Sequence, residues 1–372
     1  MFQFAKHLVQ LGHEVTICCT SPSGCWGISR FERDGVKIVE APDLLRGALR
    51  SGWGTWNVLN RIWWLNGESF DLIHAFETRP TVIFPALFGK IIKRTPLFLD
   101  WGDWFGRGGS VEERQNPVHR VILRVVDTFF ENRFRRVGRG TTVICDLLEQ
   151  KARKAGVAQD AILQIKDGAN VQELVPKNKK ESREKIGLPK DKFLIGYLGY
   201  IYPSDAALMA ECFNRLCQMR DDVCLVWIGY ANRPIQEMVS EPDKVILSGQ
   251  IPYNELNDWI ASCDMCWLPY RDSGTNRGRW PMKLNDYMAA GVPTVATAVG
   301  DVTQVIGQHN IGILAKPTAG DVAAKVSELL DSPFLIAELG KNARQTAETK
   351  FDWIDQCHKL VGFYEERLGA DD

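Results

Sequence analysis

The sequence predicts an α/β fold of two Rossmann-like domains. Short apolar runs rich in β-formers alternate with longer stretches of helical period along the whole 372-residue chain, which is typical of parallel sheets covered by helices. This alternation is interrupted once, by a charged stretch with prolines at 176–192, which favours an exposed connector. A length of about 100–200 residues per domain favours two domains. We therefore expect a first domain at 1–175 and a second at 176–350.

The first half holds strand candidates separated by helical patterns. They are HEVTICC at 13–19, DLIHAF at 71–76, PLFLDW at 96–101, TTVIC at 141–145 and ILQIKDG at 162–168. Each is a short apolar run of the length usual for strands, and several are rich in β-branched residues.

The second half continues in the same order, strand after helix. Its strand candidates are FLIGYLGY at 193–200, CLVWIGY at 224–230, VILSG at 245–249, DMCWLPY at 264–270, PTVATAV at 293–299 and IGILAKP at 311–317. Two helical stretches follow, at about 320–350 and 353–368. The second stretch carries Trp353, Phe363 and Tyr364 on an otherwise polar segment, so we expect it to pack against another part of the chain.

Composition excludes several classes of protein. With 45% hydrophobic and 24% charged residues and a formal net charge of -1, the chain is neither disordered nor basic enough to attract nucleic acid globally. No apolar stretch reaches the ~18–20 residues that span a bilayer, and the N-terminus has no cleavage pattern, so we expect a cytoplasmic protein. Cys263 and Cys266 form the only C-x-x-C pair, and without a second pair we expect no metal site.

The most informative segment runs from Asn276 to Pro293, directly after a predicted strand that ends at Tyr270. Pro281 suits the first position of a helix, where no N–H is needed. Gly291 suits a left-handed C-terminal cap. We therefore expect a short helix between these two residues.

Polar residues cluster at the start of this predicted helix. Lys283 and Asp286 are three positions apart and share a face near the positive N-terminus, whereas Leu284 lies on a face that we expect to pack on the sheet. Together with Arg277 and Arg279, this helix end predicts a diphosphate site, in which Asp286 accepts hydrogen bonds from ribose hydroxyls. The other interpretation is a set of solvated surface charges. No G-x-G-x-x-G follows a strand and no Walker pattern occurs, which disfavours hydride transfer and P-loop chemistry.

At these residues the sequence resembles glycosyltransferase family 4, retaining enzymes of GT-B architecture that use nucleotide-activated sugars. The stretch from Pro281 to Thr297 is similar to the family's P-x-K-x-x-E-Y-M-A-A-G-x-P-V-V-A-T block, with Asp286 at the place of the ribose-binding glutamate. Further similar segments follow the family's order: GHEVTICCTSP at 12–22, DLIHAFETRP at 71–80, Asp103-Trp104, TTVIC at 141–145, ILQIKDGAN at 162–170, VILSGQIPYNELNDWIASCDMCWLPY at 245–270 and VGDVTQVI at 299–306.

The resemblance implies that two domains face a cleft and that each binds a different substrate. The domain at 1–175 would bind the acceptor, the domain at 176–350 a nucleotide-sugar, and the helix within 351–372 would cross back to the first domain. Transfer would retain the anomeric configuration, without metal or cofactor, and with a UDP-, GDP- or ADP-sugar as co-substrate. The residues expected to bind the donor are Gly199, Tyr200, Gln250, Arg277, Arg279, Lys283, Leu284 and Asp286.

Three departures from the family pattern bear on activity. The family begins with a strand and a glycine-rich loop, whereas this chain starts inside or just before the helix equivalent to 3–11. We expect the native product, if it is longer, to begin with that strand and loop. The family's arginine and lysine after the first strand of the second domain are absent from GYIYPSD at 199–205, and Gly278 replaces the first glutamate of the E-x7-E motif. We expect Arg279 and Lys283, with Arg277, to supply the missing charge from the opposite side of the diphosphate.

Polar residues also follow the predicted strands of the first domain, where open α/β sheets form their sites. Glu77 and Arg79 follow the strand at 71–76, and Asp103 and Arg107 follow the next one. We expect Asp103 or Glu77 to orient or deprotonate the acceptor hydroxyl, and Arg79 and Arg107 to line the acceptor side.

A histidine near the transferred sugar is common in the family. Its place here falls at Phe76, and His74 lies two residues earlier on the same strand face. His74 is therefore a candidate catalytic residue, and the alternative is a histidine of the core.

Residues 44–65 have the composition of an amphipathic segment at a membrane interface. Tryptophan and arginine stand out in this segment, namely Trp53, Trp56, Trp63 and Trp64 with Arg46, Arg50 and Arg61. One interpretation is peripheral contact with an anionic membrane, in keeping with a lipid-linked acceptor. The other is packing of the tryptophans under the first sheet.

The hypothesis from sequence is a hexosyltransferase-type glycosyltransferase of cell-envelope glycan biosynthesis. It would move a sugar from a nucleotide-sugar to a hydroxyl of a polysaccharide, glycolipid or lipid-linked glycan, at the inner face of the membrane, with no nucleic acid as partner. The alternatives are a nucleotide-sugar epimerase of the same architecture and a catalytically silent partner subunit.

Overall fold

The computed structural model describes residues 1–23, 26–45 and 52–369. Its packing divides the chain into two compact units. The first unit comprises Met1–Lys166 together with the residues from Trp353 onward, and the second comprises Asp167–Asp352. Both units are α/β, and each strand predicted from the sequence has a counterpart.

The first unit alternates helices and short strands. Its elements are α1 (Phe2–Gln10), β1 (Thr16–Thr20), β2 (Ser29–Arg33), β3 (Val36–Ala41), α2 (Thr55–Asn66), β4 (Ile73–Phe76), α3 (Pro80–Ile92), β5 (Leu97–Trp101), α4 (Pro117–Arg133), β6 (Gly140–Val143), α5 (Asp146–Lys154) and β7 (Ile162–Gln164). Strands β4 to β7 form a parallel sheet in chain order, and β1 pairs with β3 in a separate sheet.

A β-hairpin of the first unit was not predicted from the sequence. Strand β2 pairs antiparallel with β3, and the turn between them consists of Asp34 and Gly35, both with positive φ. The Asp-Gly dipeptide is the usual signal for such a two-residue turn. The fully exposed β2 lacks the apolar run on which the strand predictions depended.

The second unit has the same alternation around a larger sheet. Its elements are α6 (Lys179–Ile186), β8 (Phe193–Leu198), α7 (Pro203–Met219), β9 (Val223–Ile228), α8 (Ile235–Met238), β10 (Val245–Leu247), α9 (Leu256–Ala261), β11 (Met265–Leu268), α10 (Gly274–Arg277), α11 (Met282–Ala289), β12 (Thr294–Thr297), α12 (Asp301–His309), β13 (Gly312–Ala315), α13 (Ala319–Leu330) and α14 (Pro333–Lys350). The last helix, α15 (Trp353–Gly369), belongs to the first unit.

The strand order of the second sheet contains a topological switch point. The order is β10-β9-β8-β11-β12-β13 with all pairs parallel. The chain builds outward in one direction from β8 and in the other from β11. Open α/β sheets bind ligands outside the carboxyl ends of the strands at such a point, so this edge of β8 and β11 is where a site is expected.

Each unit has its own apolar core. In the second unit, Trp227 and Phe213 are fully buried among the residues that cover the sheet. In the first, Phe98 of β5 packs edge-on against the rings of Phe363 and Tyr364 from α15. The C-terminal helix is therefore part of the core of the first unit.

The expectation of an exposed connector at 176–192 is wrong. Most of this stretch is helix α6 with its flanks, and Arg183 is buried, with its guanidinium 2.6 Å from the Asp264 carboxylate. The ammonium of Lys177 lies 2.7 Å from Asp258. Because the buried carboxylates of Asp258 and Asp264 bind the cations of this segment, it packs against the rest of the second unit although its sequence has no apolar periodicity.

Candidate functional site

Helix α11 is anchored to the switch point of the second sheet. The backbone N–H of Leu198, at the end of β8, donates to the Tyr287 hydroxyl of α11 at 2.8 Å. Pro281 was expected at the first helical position, but it is the N-cap, with extended backbone, and the helix begins at Met282. Gly291 has φ +69°, as expected for the left-handed residue after the helix.

Lys283 is held against the loop that follows β8. Its ammonium donates to the Tyr197 hydroxyl at 2.7 Å and to the Tyr200 carbonyl at 2.8 Å. Burial, reinforced by the positive charge of Arg279, holds the pKa of Lys283 well below its usual range. In the protonated form, which a bound anion favours, these two bonds leave the third N–H for that anion.

The side chain of Arg279, beside Lys283, is 16% exposed. Its guanidinium binds the carboxylate of Asp205 at 3.2 Å and lies between the rings of Tyr202 and Tyr270, 4.8 and 4.6 Å from their centroids. Asp205, in the first turn of α7, is fully buried and also accepts the Arg271 N–H. The buried Nε of Arg279 has no hydrogen-bond partner within the described part of the chain, and an anion could satisfy this donor.

Arg277 is placed differently from the other predicted cations. Its exposed guanidinium makes two bonds of 2.6 Å to the carboxylate of Asp272. The structure thus groups Arg279 with Lys283 and Asp286, whose charges act on one another. Arg277 is bound to a carboxylate of its own loop.

Asp286 lies one turn after Lys283 on α11 and is half-buried. Burial raises the pKa of Asp286 to about 7, against the opposing effect of the Lys283 charge, and the carboxylate of Asp167 adds to the rise. The neighbouring Asn285 donates its amide to the carbonyl oxygens of Asp167 and Gly168, at 2.7 and 3.0 Å. Helix α11 therefore also fixes the loop at the start of the second unit.

The other residues that were predicted to bind the nucleotide-sugar lie in two kinds of environment. Gly199 has φ +72°, which turns the chain after β8, and it is followed by the exposed side chain of Tyr200. Gln250 is exposed after β10. Leu284 is fully buried, so its side chain packs in the core and does not line the site.

Glu77 stands in a strained conformation at the carboxyl end of β4. Its φ is +81°, a region that a glutamate enters at a cost in free energy and that recurs at functional sites. Burial raises the pKa of Glu77 to about 7, with Arg79 opposing the rise and Asp103 adding to it. Asp103 itself is exposed. The two carboxylates named as catalytic candidates thus influence each other electrostatically.

The loop after β5 is fixed by helix α4. The carboxylate of Glu131 accepts the N–H of Phe105 at 2.6 Å and that of Gly106 at 2.8 Å. A Cβ at Gly106 would lie 2.4 Å from this carboxylate, so only glycine fits. Arg107 is exposed, with its N–H bound to Thr128, and it remains accessible to a ligand.

Arg79 caps the start of α3 and is bound to α4. Its guanidinium pairs with the buried carboxylate of Asp127 at 3.1 Å and lies over the ring of Phe105 at 4.6 Å. This arginine is therefore engaged within the first unit.

His74 belongs to a partly buried chain of hydrogen bonds. Its Nδ1 lies 2.6 Å from the Tyr364 hydroxyl and its Nε2 3.2 Å from Thr142 Oγ1, and this hydroxyl donates to Asp100 at 2.5 Å. Because Thr142 donates to the carboxylate, it must accept from Nε2–H, so Tyr364 donates to Nδ1. Burial lowers the pKa of His74 to about 4. The neutral ring is engaged on both sides, as in a histidine of the core.

The segment at 44–65 falls partly outside the described residues, including Arg46 and Arg50. Arg61 is buried and donates to the carbonyl of Cys18, and Trp64 belongs to the core, whereas Trp63 is 73% exposed. The segment therefore contains a core tryptophan, as expected for packing under the sheet, and an exposed tryptophan, as expected for membrane contact. Among the described residues, no helix is both long and apolar enough to cross a bilayer.

Sequence reasoning missed three residues that shape the site. They are Asp205, which binds Arg279, Tyr197, which binds Lys283, and Asn285, which fixes the loop at 167–168. Asp205 could have been suspected because Tyr-Pro-Ser-Asp reads as a helix start with an acidic first turn. No local pattern marks the other two, since their partners are distant in sequence.

Both units match known families. The model described as "Glycosyl transferase 4-like domain" matches residues 1–168, and the model described as "Glycosyl transferases group 1" matches residues 192–332. The D-inositol 3-phosphate glycosyltransferase 2 of Catenulispora acidiphila is 26% identical over 236 residues, which are 58% of this chain and 53% of that protein. The chain thus spans about half the length of this relative.

Solved structures share the fold at low sequence identity. Sucrose-phosphate synthase from Thermosynechococcus elongatus superimposes with a TM-score of 0.74 at 17% identity, over 99% of this chain and 92% of that one. HepE of Anabaena, solved in complex with UDP-glucose, gives a TM-score of 0.64 at 15% identity, over 90% and 87% of the two chains. With two matching domain families and this fold, the chain belongs to the family 4-type glycosyltransferases of GT-B fold.

Proposed function

We propose that the protein transfers a sugar from a nucleotide-sugar to an acceptor hydroxyl, with retention of the anomeric configuration. The second unit binds the donor and the first unit binds the acceptor. The observation that carries this proposal is the placement of Lys283 and Asp286 one turn apart on α11, outside the carboxyl ends of β8 and β11. This position is the ligand edge of an open α/β sheet.

The donor diphosphate lies against the remaining N–H of Lys283 and the guanidinium of Arg279. These cations replace the arginine and lysine that the loop after β8 lacks. Asp286 accepts hydrogen bonds from the ribose, Tyr200 and Gln250 are exposed for contact with the donor, and Arg277 adds charge at the rim. UDP is the proposed nucleotide, since HepE binds UDP-glucose.

Transfer proceeds by electrostatic stabilisation and positioning. As the bond between the sugar and the diphosphate breaks, negative charge grows on the diphosphate, and cations already in place stabilise it. The acceptor oxygen attacks from the face on which the diphosphate leaves, and the departing phosphate oxygen takes the hydroxyl proton. A strong protein base is therefore unnecessary, and Glu77 and Asp103 orient the hydroxyl.

The acceptor is a glycan or a lipid-linked glycan of the cell envelope. Arg79 and Arg107 flank the loops that carry Glu77 and Asp103, and Arg107 is the exposed cation on that side. An acceptor attached to lipid requires the enzyme to work at the inner face of the membrane, as a peripheral protein.

A thermal-shift panel with UDP, GDP, ADP and TDP tests donor binding. A nucleotide at 100 times its dissociation constant stabilises the native state by about 2.7 kcal/mol. We expect UDP to raise the melting temperature of the wild type and to have little effect on Lys283→Ala. Lys325→Ala, which removes a half-buried lysine paired with Glu328 on α13, is the matched control and should respond like the wild type.

Turnover of a bound UDP-sugar is then followed by NMR of the anomeric proton of the product. Retention supports the front-face mechanism, and inversion contradicts it. If no nucleotide shifts the melting temperature, the protein is a catalytically silent member of the family. Release of a free sugar nucleotide epimer without any acceptor would identify an epimerase.

A further inference from the structure

The second unit contains a cavity of about 770 Å³ beside the C-terminal end of α11. Residues 290–293, which follow this helix, line the cavity together with parts of α14, the end of α9 and the start of α6. Sites for small molecules have volumes of roughly 300–1,000 Å³. Lys283 lies in the first turn of α11, so the cavity is separate from the proposed nucleotide site.

Hydrogen bonds and close helix packing hold the walls of this cavity in place. Arg344 of α14 donates to the carbonyl oxygens of Leu174 and Ala289, each at 2.7 Å. A Cβ at Gly340 would lie 2.4 Å from the carbonyl oxygen of Gly291, so glycine at this position lets α14 pack directly on the end of α11. Protein interiors leave few voids larger than a water molecule. A space of this size between fixed elements is therefore available to a ligand.

Most of the buried residues in the lining are apolar. They are Ala261, Cys263, Ala290, Val292 and Pro293. The half-buried Ile336 of α14 adds to this apolar surface. The buried carboxylate of Asp264 also belongs to the lining, and it is neutralised by ion pairs with Lys179 and Arg183. This part of the cavity suits the apolar body of a ligand.

Lys177 and Lys179 bring positive charge to the cavity although both make ion pairs. The ammonium of Lys177 lies 2.7 Å from the carboxylate of Asp258, and that of Lys179 binds Asp264. Each of these two carboxylates also binds a second cation of α6. Because a carboxylate neutralises only one of its two cations, this group of side chains keeps a net positive charge.

Lys341 adds a third ammonium group to the lining. It is exposed on α14 and makes no ion pair within the described part of the chain. The other two charged residues of the α14 wall, Arg344 and Glu348, pair with each other at 2.7 Å. The lining therefore combines a buried apolar surface with the N–H donors of three lysines.

We propose that this cavity binds a small amphiphilic anion, an apolar group that carries one phosphate. The apolar group lies against the buried surface, and the phosphate lies among the ammonium groups of Lys177, Lys179 and Lys341. A phosphate monoester carries close to two negative charges near neutral pH, which matches a cluster of cations better than a single charge does. This binding is independent of the transfer reaction proposed above.

Titration calorimetry of the full chain with butyl, hexyl and octyl phosphate tests the proposal. Saturating UDP is present, so that the nucleotide site is occupied. We expect the affinity to rise about threefold to fourfold with each methylene that enters the cavity. Hexanol, which lacks the charge, and inorganic phosphate, which lacks the apolar group, should bind at least about tenfold more weakly than hexyl phosphate.

Two variants locate the binding within the cavity. Ala337 is an exposed lining residue of α14, so Ala337→Trp fills space in the cavity without disturbing the core. It should weaken hexyl phosphate binding at least about tenfold, because the indole covers apolar surface that the ligand needs. Lys341→Glu should weaken it about three- to tenfold and leave the binding of hexanol unchanged.

Leu335→Trp is the matched control, at a 37% exposed residue of the same helix outside the lining. It should bind hexyl phosphate like the wild type. Melting temperatures without ligand show that each variant is folded. Lys283→Ala, titrated without UDP, should also bind hexyl phosphate like the wild type, since Lys283 lies in the first turn of α11.

Absence of hexyl phosphate binding to the wild type overturns the proposal, as does equal binding by Ala337→Trp. Inorganic phosphate that binds as tightly as octyl phosphate would reduce the site to a set of surface lysines. Binding that is abolished by UDP or by Lys283→Ala would place the probe in the nucleotide site. A failure of UDP itself to bind contradicts the proposed transfer and not the cavity, because the titration of Lys283→Ala needs no UDP.

Discussion

Arg277 and Arg279 are two positions apart, but their guanidinium groups lie in different environments. The guanidinium of Arg279 is enclosed by two tyrosine rings and a fully buried carboxylate, whereas that of Arg277 is exposed and paired with Asp272. A buried pair costs much when one partner is removed, because the other charge stays desolvated. An exposed pair contributes about 0–1 kcal/mol.

Arg279→Ala should therefore reduce both stability and nucleotide affinity. We expect a loss of about 3 kcal/mol in the free energy of unfolding, since Asp205 keeps other donors but loses its cation. Arg277→Ala, the matched control, should change stability by less than about 1 kcal/mol. Urea unfolding and UDP titration calorimetry measure the two effects, and equal losses in both variants would contradict the assigned roles.

The second prediction concerns how the stability of the protein depends on pH through Asp286. Burial raises the pKa of this carboxyl in the folded protein to about 7, above its value in the unfolded chain. The contribution of Asp286 to stability is therefore complete below the unfolded pKa and is lost as the pH rises through the folded pKa. Asp286→Asn, which stays neutral, should thus be more stable than the wild type above pH 7. The crossover appears in melting temperatures measured from pH 5 to pH 9.

The same group should make nucleotide binding depend on pH. Ribose hydroxyls donate best to the ionised carboxylate, so the UDP affinity of the wild type should fall as pH drops below about 7. Asp286→Asn should bind UDP more weakly at neutral pH, with little of this dependence. A wild-type affinity that is constant from pH 5 to pH 8 would remove Asp286 from the ribose site.

Local spacing predicts which residues lie at the site, but not what they bind within the protein. The proximity of Lys283 and Asp286 follows from helical periodicity alone. The position of Arg279 beside Asp205 does not, because the two are far apart in sequence and meet only through the packing of α7 near the end of β11. His74 shows the same limit, since its partner Tyr364 lies in the last helix.

At the scale of elements, strands were predicted well and charged segments poorly. A buried parallel strand is a short apolar run whatever surrounds it, which is why the strands of the four-stranded and six-stranded sheets were found. Strand β3 of the three-stranded sheet was missed. Helix α6 was taken for a connector because its burial depends on ion pairs with Asp258 and Asp264. The hairpin of β2 and β3 has an exposed outer strand, which leaves the Asp-Gly turn as its main signal.

Helix α15 gives the prediction at this scale. Its Phe363 ring packs on Phe98 of β5, and a Cβ at Gly140 would lie 2.6 Å from that ring. Phe363→Ala should destabilise the first unit by about 3–5 kcal/mol, with amide exchange accelerated in β5 and β6. Glu366→Ala, at an exposed position of the same helix, is the control, and equal exchange rates in both variants would contradict this packing.

At the scale of the whole molecule, the two sets of candidate residues belong to separately packed units. The carboxylates Glu77 and Asp103 lie in the first unit, and Lys283 and Asp286 lie in the second. The contacts described above for each set lie within its own unit. Donor binding and acceptor activation should therefore respond to different substitutions.

Glu77→Gln and Asp103→Asn test this separation. If either carboxylate orients the acceptor as an acid–base group, its loss should lower kcat by about 10²–10⁴-fold with UDP affinity unchanged. The Glu77 variant should also lose any step in kcat near pH 7, where the raised pKa of this carboxyl lies. Asp355→Asn, at an exposed carboxylate of α15, is the control. Activity lost only in Glu77→Gln would place the acceptor at the end of β4, and wild-type rates in both variants would mean that the first unit supplies shape while the diphosphate alone accepts the proton.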